Sequence, residues 1–223
     1  MIAGAPMVEH VYRRALAATR VDAVVVATDD ERVADVVSQF GGTAVMTRAD
    51  HATGTDRLAE VARALEGEIV INVQGDEPLM TADAIDEVAK LLLSRPDDLM
   101  ATLRRRVEDF SDLTNPSVVK LVADAAGYAL YFTRSSIPFV RPGQPRPTFW
   151  RHLGLYAYRR AFLQTLAGLS PTPLEQAEGL EQLRALEHGY RISTAETSAD
   201  TIGVDTPEDL ERVRQLVAAT AST

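Results

Sequence analysis

The chain has 223 residues, enough for one large α/β domain or a domain with a subdomain; 46% are hydrophobic and 25% charged. A net charge of -9 argues against gripping a nucleic-acid backbone, which takes clustered Lys and Arg, yet leaves room for a small anionic substrate in a local basic pocket. There is no cysteine, so disulfides, thiolate zinc sites and thiol nucleophiles are excluded. His10, His51, His152 and His188 lack the pairing of a histidine metal site. No apolar run reaches membrane-spanning length and no signal peptide opens the sequence, which predicts a cytoplasmic protein that does not engage a membrane.

In chain order, Val8, Val11, Tyr12, Ala15 and Leu16 recur at helical spacing after Pro6. Residues 21–28 read as an apolar strand. Val33, Val36, Val37 and Phe40 form the next helix face, stopped by Gly41-Gly42, and 43–47 is a short strand. Leu58, Val61, Ala62 and Leu65 mark a third helix. The β-branched run 69–73 is a strand that breaks into Gln74-Gly75-Asp76-Glu77-Pro78. Ile85, Val88, Ala89, Leu92 and Leu93 give a helix after Thr81. Strands and helices alternate, which predicts an α/β fold with a mostly parallel, Rossmann-like sheet covered by helices.

The pattern then changes. Residues 118–123 and 128–133 flank Asp124–Gly127 as a β-hairpin. Residues 137–147 hold Pro138, Pro142, Pro145 and Pro147 and read as a loop. Residues 152–158 form a strand, 173–187 one helix, and a last helix begins at Thr206-Pro207. Residues 218–223 are expected to fray. The organisation predicted is a single domain over 1–223, with an inserted hairpin region at about 112–160.

Five constellations can carry chemistry. Gln74-Gly75-Asp76 sits where a parallel strand ends, the edge at which open α/β sheets bind ligands, and Asp76 there can hold a hard cation against phosphate. In 47–57, Thr53-Gly54-Thr55 offers hydroxyls and N–H groups at a helix start, with Arg48 and Arg57 available to phosphate or a base carbonyl. Asp205 precedes the last helix; alone it reads as an N-cap, and its interest lies in partnership with Asp76 around a cation such as Mg²⁺. Strand alternation puts His152, Gly154 and Tyr156 on one face, with Gly154 leaving room for a ligand; a core His and Tyr is the plainer reading. Glu175, Glu178 and Glu181 fall at i, i+3 and i+6, either a solvated helix face or a surface for a polyhydroxylated ligand.

Taken together these segments resemble the 3-deoxy-D-manno-octulosonate cytidylyltransferase (CMP-Kdo synthetase) family of lipopolysaccharide assembly. The matching stretches are Val-Ala-Thr-Asp-Asp (26–30), Met-Thr-Arg-Ala-Asp-His (46–51), Thr-Gly-Thr-Asp-Arg-Leu-Ala-Glu-Val (53–61) and Val-Gln-Gly-Asp-Glu-Pro (73–78). They continue with Asn-Pro-Ser-Val-Val-Lys (115–120), Ala-Leu-Tyr-Phe-Thr-Arg-Ser-Ser-Ile-Pro (129–138), Arg-His-Leu-Gly-Leu-Tyr (151–156), Leu-Glu-Gln-Leu-Arg (180–184) and Gly-Val-Asp-Thr-Pro-Glu-Asp-Leu (203–210). The resemblance implies a nucleotidyltransferase sheet, Mg²⁺ as cofactor, CTP and Kdo as substrates, and a homodimer with the hairpin region as its interface. It implies metal and catalytic roles for Asp76 and Asp205. Arg48, Thr53, Gly54, Thr55 and Gln74 fall to the nucleotide, and His152, Tyr156, Glu178, Glu181 and Arg134 to the sugar.

Family members open with a strand leading into Pro-Ala-Arg-x-x-Ser-x-Arg-Leu-Pro-Gly-Lys-Pro-Leu, which neutralises the triphosphate. This sequence opens at Ile2-Ala-Gly4-Ala-Pro6-Met7, similar to the segment after that loop, so about twenty residues of strand and anion-binding loop are expected to be missing. Either the start lies upstream, or the chain is a truncated, non-catalytic sugar-binding or dimerising remnant. Activation of a related acid sugar is a further alternative.

Overall fold

The computed structural model describes residues 1–221. Two compact units divide the chain: the first takes Met1–Glu66, Asn72–Asp86 and the chain from Ala199 onward, the second Gly67–Ile71 and Glu87–Ser198.

The first unit begins with α1 (Met7–Leu16), which buries Val11 and Ala15 and leaves Leu16 exposed. Strand β1 (Val26–Thr28) and strand β2 (Ala44–Met46) flank α2 (Glu31–Gln39) and pair in parallel, Val26 opposite Ala44. This is a βαβ crossover. The strand expected over 21–28 is three residues long, each of them paired with a residue of the equally short β2. Asp30 caps α2 by accepting from the Arg32 N–H at 2.8 Å. Helix α3 (Gly54–Ala62) follows. Val37, Ala59, Ala62, Met80, Ala84, Ile85 and Val213 are all buried.

Gly42 closes the α2 turn tightly: a Cβ there would lie 2.6 Å from the Phe40 ring and 2.8 Å from Cγ1 of buried Val37. Phe40 cannot swing away freely, since its ring packs on Tyr12 at 5.4 Å. Gly42→Ala is therefore expected to cost about 1–3 kcal/mol of stability, the usual penalty of overpacking, read as a lowered urea midpoint at unchanged slope.

Strand β3 (Ile69–Asn72) precedes the polar turn, and α4 (Ala82–Leu93) follows it. In the second unit, β4 (Met100–Arg106), β5 (Lys120–Ala123), β6 (Ala129–Thr133), β7 (Trp150–Arg159) and β8 (Ser193–Glu196) run in the order β6-β5-β7-β4-β8, and β3 also pairs with β7. The α/β class with a helix-flanked sheet holds. One adjustment is that β4 pairs with β8 in parallel, whereas β4 with β7, β5 with β7 and β5 with β6 are antiparallel. The sheet is thus more mixed than the alternation of the first hundred residues predicts.

Strand β4 has no counterpart among the predicted elements. Met100, Ala101, Thr102 and Leu103 are all buried, because strands lie on both edges and both faces are covered, so no alternation marks it. Helix α5 (Arg160–Ala167) and β8 are further additions.

The single helix expected over 173–187 is two: α6 (Pro173–Glu178) and α7 (Gln182–Glu187), parted by Gly179 in the left-handed region at φ 62°. The hairpin is present, with a register shift between Val122 and Ala123. The proline-rich loop has no regular secondary structure over 138–147 and carries a cis Ile137–Pro138 bond. The last helix, α8 (Pro207–Ala221), belongs to the first unit and runs through residues expected to fray; positions 222–223 lie outside the described residues. Its Val213 is fully buried. No helix among the described residues is long and apolar enough to cross a membrane.

Candidate active site

In the first unit, the strand-to-turn break after Asn72 does what its composition suggests. The Gln74 carbonyl accepts from the Glu77 N–H at 3.2 Å and the Glu77 carbonyl from the Met80 N–H at 3.0 Å, a double turn that leaves Gln74 and Gly75 exposed and Asp76 half-buried. The Asp76 carbonyl accepts from the Val204 N–H at 2.9 Å. That hydrogen bond ties the turn to the residue before Asp205, which stands exposed ahead of α8. Burial pushes the Asp76 carboxyl above its usual range, and the charge of Asp205 adds to the push. Two carboxylates thus share one electrostatic neighbourhood, an arrangement that a cation between them would relieve.

Among the described residues no group of three or more His, Asp or Glu side chains could form an all-protein metal cage. Two aspartates are a donor set suited to Mg²⁺, which keeps most of its waters and takes one or two carboxylates with substrate phosphates.

The remaining nucleotide-side candidates surround the start of α3. Thr53 is its N-cap, the hydroxyl accepting from the Asp56 N–H at 3.2 Å; Gly54 opens the helix with open space where a side chain would stand, and Thr55 is buried. The first N–H groups of a helix lack intrahelical partners and favour an anion. Arg48 is largely exposed and leans on Asp50 at 3.4 Å and Glu60 at 3.7 Å, weak pairs that a ligand could displace. Glu60 also hydrogen-bonds the His51 ring, which holds the Glu60 carboxyl below its usual range. Arg57 reaches Asp29 at 3.2 Å and the Thr47 hydroxyl, so the segments after β1 and β2 and the start of α3 are fastened together.

The sugar-side candidates lie in the second unit. His152 and Tyr156 share a face of β7 with ring centroids 5.2 Å apart, and Phe132 meets His152 edge-on at 5.1 Å. His152 is half-buried by surface yet hemmed in closely, and this desolvation lowers its pKa to about 3. Tyr156 is buried and raised well above its usual range, first by burial, then by Tyr158 and the charge of Glu181.

Glu178 and Arg134 meet each other. The Glu178 carboxylate accepts from the Thr133 hydroxyl at 2.6 Å and the Arg134 N–H at 3.0 Å, while Arg134 Nε donates to the Glu178 carbonyl at 2.8 Å and Nη1 to that of Pro116 at 2.9 Å. Burial raises the Glu178 carboxyl, but these donors outweigh it and hold the pKa below the usual range.

Two features lay outside the sequence reading. Lys120 is fully buried, its ammonium donating to the carbonyls of Asn115 at 2.9 Å, Val118 at 2.7 Å and Arg134. It fixes the loop before β5 and the segment carrying Arg134; a lone lysine within the apolar run 118–123 gives no sign in sequence of the carbonyls it meets. The other is Thr102, on the strand β4 that sequence patterning passes over. The expectation that Glu175, Glu178 and Glu181 line one face fails at Gly179, and Glu175 is buried against Arg184.

A family model described as Cytidylyltransferase matches residues 1–192. A 3-deoxy-manno-octulosonate cytidylyltransferase of Solibacter usitatus is 51% identical over 98% of this chain and 86% of that protein. One of the same name from Syntrophobacter fumaroxidans is 53% identical over 99% and 90%. A solved structure of CMP:2-keto-3-deoxy-manno-octonic acid synthetase complexed with CTP superposes with a TM-score of 0.93 at 45% identity, covering 99% of this chain and 90% of that one. A 4-diphosphocytidyl-2C-methyl-D-erythritol synthase from Anaerococcus prevotii, 11% identical with a TM-score of 0.63, shares the fold.

Proposed function

This chain belongs to the 3-deoxy-manno-octulosonate cytidylyltransferase family, and from that membership we propose that it transfers the cytidylyl group of CTP to Kdo, giving CMP-Kdo and pyrophosphate. The observation that carries the reading onto particular residues is the Val204–Asp76 hydrogen bond, which joins the two aspartates in one charged neighbourhood. In this reading Asp76 and Asp205 hold Mg²⁺, which when bound supplies positive charge to phosphate oxygens. Thr53, Gly54 and Thr55 present the start of α3 to the nucleotide, while Arg48 and Gln74 supply exposed polar groups. His152, Tyr156, Glu178 and Glu181 receive the sugar, and Arg134 orients Glu178.

The reaction joins the anomeric hydroxyl of Kdo to the α-phosphorus as the bond to pyrophosphate breaks. Charge gathers on phosphoryl oxygens, so positioning and electrostatic stabilisation are the protein's contribution. The test is CMP-Kdo formation from CTP, Kdo and Mg²⁺ by this 223-residue chain and by an upstream-extended version; no turnover by the extended version overturns the reading. A substrate panel of related acid sugars separates Kdo from its analogues.

We further propose a cytoplasmic homodimer. Phe139 is 84% and Phe110 51% exposed, beside a cleft of about 270 Å³ that Leu113, Pro138, Val140 and Phe149 help to line. Exposed apolar groups gathered in one place favour a protein contact. Phe139→Asp is expected to convert a species of twice 24.3 kDa to the monomer mass by light scattering. An unchanged mass sinks this assignment.

A further inference from the structure

The Thr102 hydroxyl is fully buried and meets three groups: Nε2 of His152 at 2.9 Å, the Leu155 carbonyl at 2.7 Å and the Leu153 carbonyl at 3.2 Å. A threonine hydroxyl has one proton to give and lone pairs to receive with. Both carbonyls can only accept. The Leu155 carbonyl is available because the β4–β7 register shifts between Thr102, opposite Tyr156, and Leu103, opposite Leu153, leaving Gly154 and Leu155 out of the pairing. The hydroxyl proton therefore goes to the nearest carbonyl, that of Leu155. Giving it to His152 instead would leave an oxygen lone pair facing the Leu155 carbonyl at 2.7 Å. The remaining arrangement has the His152 Nε2–H donating into the Thr102 oxygen.

We infer that Thr102 is a positioning residue that fixes His152 as the Nε2–H tautomer, presenting Nδ1 as an acceptor for a hydroxyl group of the sugar. Nδ1 has no protein partner among the described residues. The ring is hemmed by Phe132 and Tyr156, and its desolvation keeps it neutral near pH 7, so it carries a single N–H. A neutral ring with an unprotonated nitrogen accepts from a hydroxyl and repels a carboxylate, so His152 reads the polyol part of an acid sugar and not its acid group.

The inference rests on the sugar-binding reading of His152, and the test separates the two. ¹⁵N-labelled histidine spectra of the ligand-free protein near pH 7 should show one protonated nitrogen, Nε2, for His152. In Thr102→Val that selection should be lost, while Thr102→Ser should keep it. The KM for Kdo should rise roughly 3- to 10-fold in Thr102→Val, the scale of one neutral hydrogen bond, with the KM for CTP unchanged and Thr102→Ser near wild type. A wild-type spectrum with the proton on Nδ1 overturns the inference, as does a Thr102→Val protein with unaltered tautomer and Kdo KM. If the spectra agree but Kdo does not bind the wild type, the tautomer assignment survives and the sugar-binding reading falls.

Discussion

Asp76→Asn should reduce kcat for CMP-Kdo formation by roughly 10³-fold while making the ligand-free protein more stable. The loss follows from removing one of two carboxylates proposed to hold the cation that offsets phosphate charge, a contribution of several kcal/mol to the transition state. The gain follows from the sign of the Asp76 shift. Its carboxyl is raised above 3.8 in the folded chain, by burial and by Asp205, so the ionised group is disfavoured by folding. The folded state is at no disadvantage below the unfolded pKa and loses stability as pH rises through the folded one. Asn resembles the neutral acid and escapes that loss. At pH 7 the Tm of the variant should therefore lie above that of the parent, the difference closing as pH falls below the usual carboxylate range. Millimolar Mg²⁺ should raise the Tm of the wild type and leave that of Asp76→Asn unmoved, since binding to the folded form alone stabilises it. A variant with wild-type turnover, or one that Mg²⁺ stabilises as strongly as the parent, would remove Asp76 from the metal site.

The largest stability effect should come from splitting Glu175 and Arg184. The two side chains are 9% and 5% exposed and are joined by Arg184 Nη2 at 2.6 Å and Nε at 2.9 Å, while the same carboxylate accepts the Thr172 N–H at 3.1 Å in a capping box. Burial pushes the Glu175 carboxyl up, and Arg184 with Thr172 more than reverses it, so the pKa stays below the usual 4.5. Arg184→Met leaves a buried carboxylate without its guanidinium and should cost about 3–5 kcal/mol, lowering the Tm by roughly 6–15 °C. The double change Glu175→Leu with Arg184→Met should recover most of that loss, because two charges no longer need to be desolvated. The lowered Glu175 pKa stabilises the fold at pH values above the unfolded value. That stabilisation should fade as pH falls through 4.5 and below, and the double variant should lack this acid dependence. Equal Tm values for the single and double variants would show that packing, and not the lone charge, sets the cost.

The pair also explains how far the acidic run could be read. Three glutamates at i, i+3 and i+6 describe a solvated face only if the helix continues. Gly179 turns left-handed and stops it, so Glu175 goes inward, Glu178 turns to Thr133 and Arg134, and Glu181 sits exposed ahead of α7. Sequence spacing alone carries no account of a partner nine residues away in a second short helix.

What the sequence determined by itself was local and chemical. The apolar run 69–73 breaking into Gln-Gly-Asp-Glu-Pro had to be a strand ending in a polar turn, Thr53-Gly54-Thr55 had to stand at a helix start, and the 124–127 turn had to close a hairpin. Each is dictated by backbone preference and side-chain reach within a few residues. Tertiary structure decided what depends on distant partners. Strand β8, a Ser-Thr-Ala-Glu segment with no large apolar residue, is a strand because it pairs with Ala101–Arg104 of β4. Lys120 can be buried because carbonyls before β5 and after β6 converge on its ammonium. Asp205 reads by itself as a residue ahead of a helix; the partnership with Asp76 expected from the sequence depends on a fold that sets the Val204 N–H against the Asp76 carbonyl, 128 positions apart in sequence. Burial and long-range hydrogen bonding carry no periodic signature along the chain, which is why only the folded chain brings that pair of aspartates into one electrostatic neighbourhood.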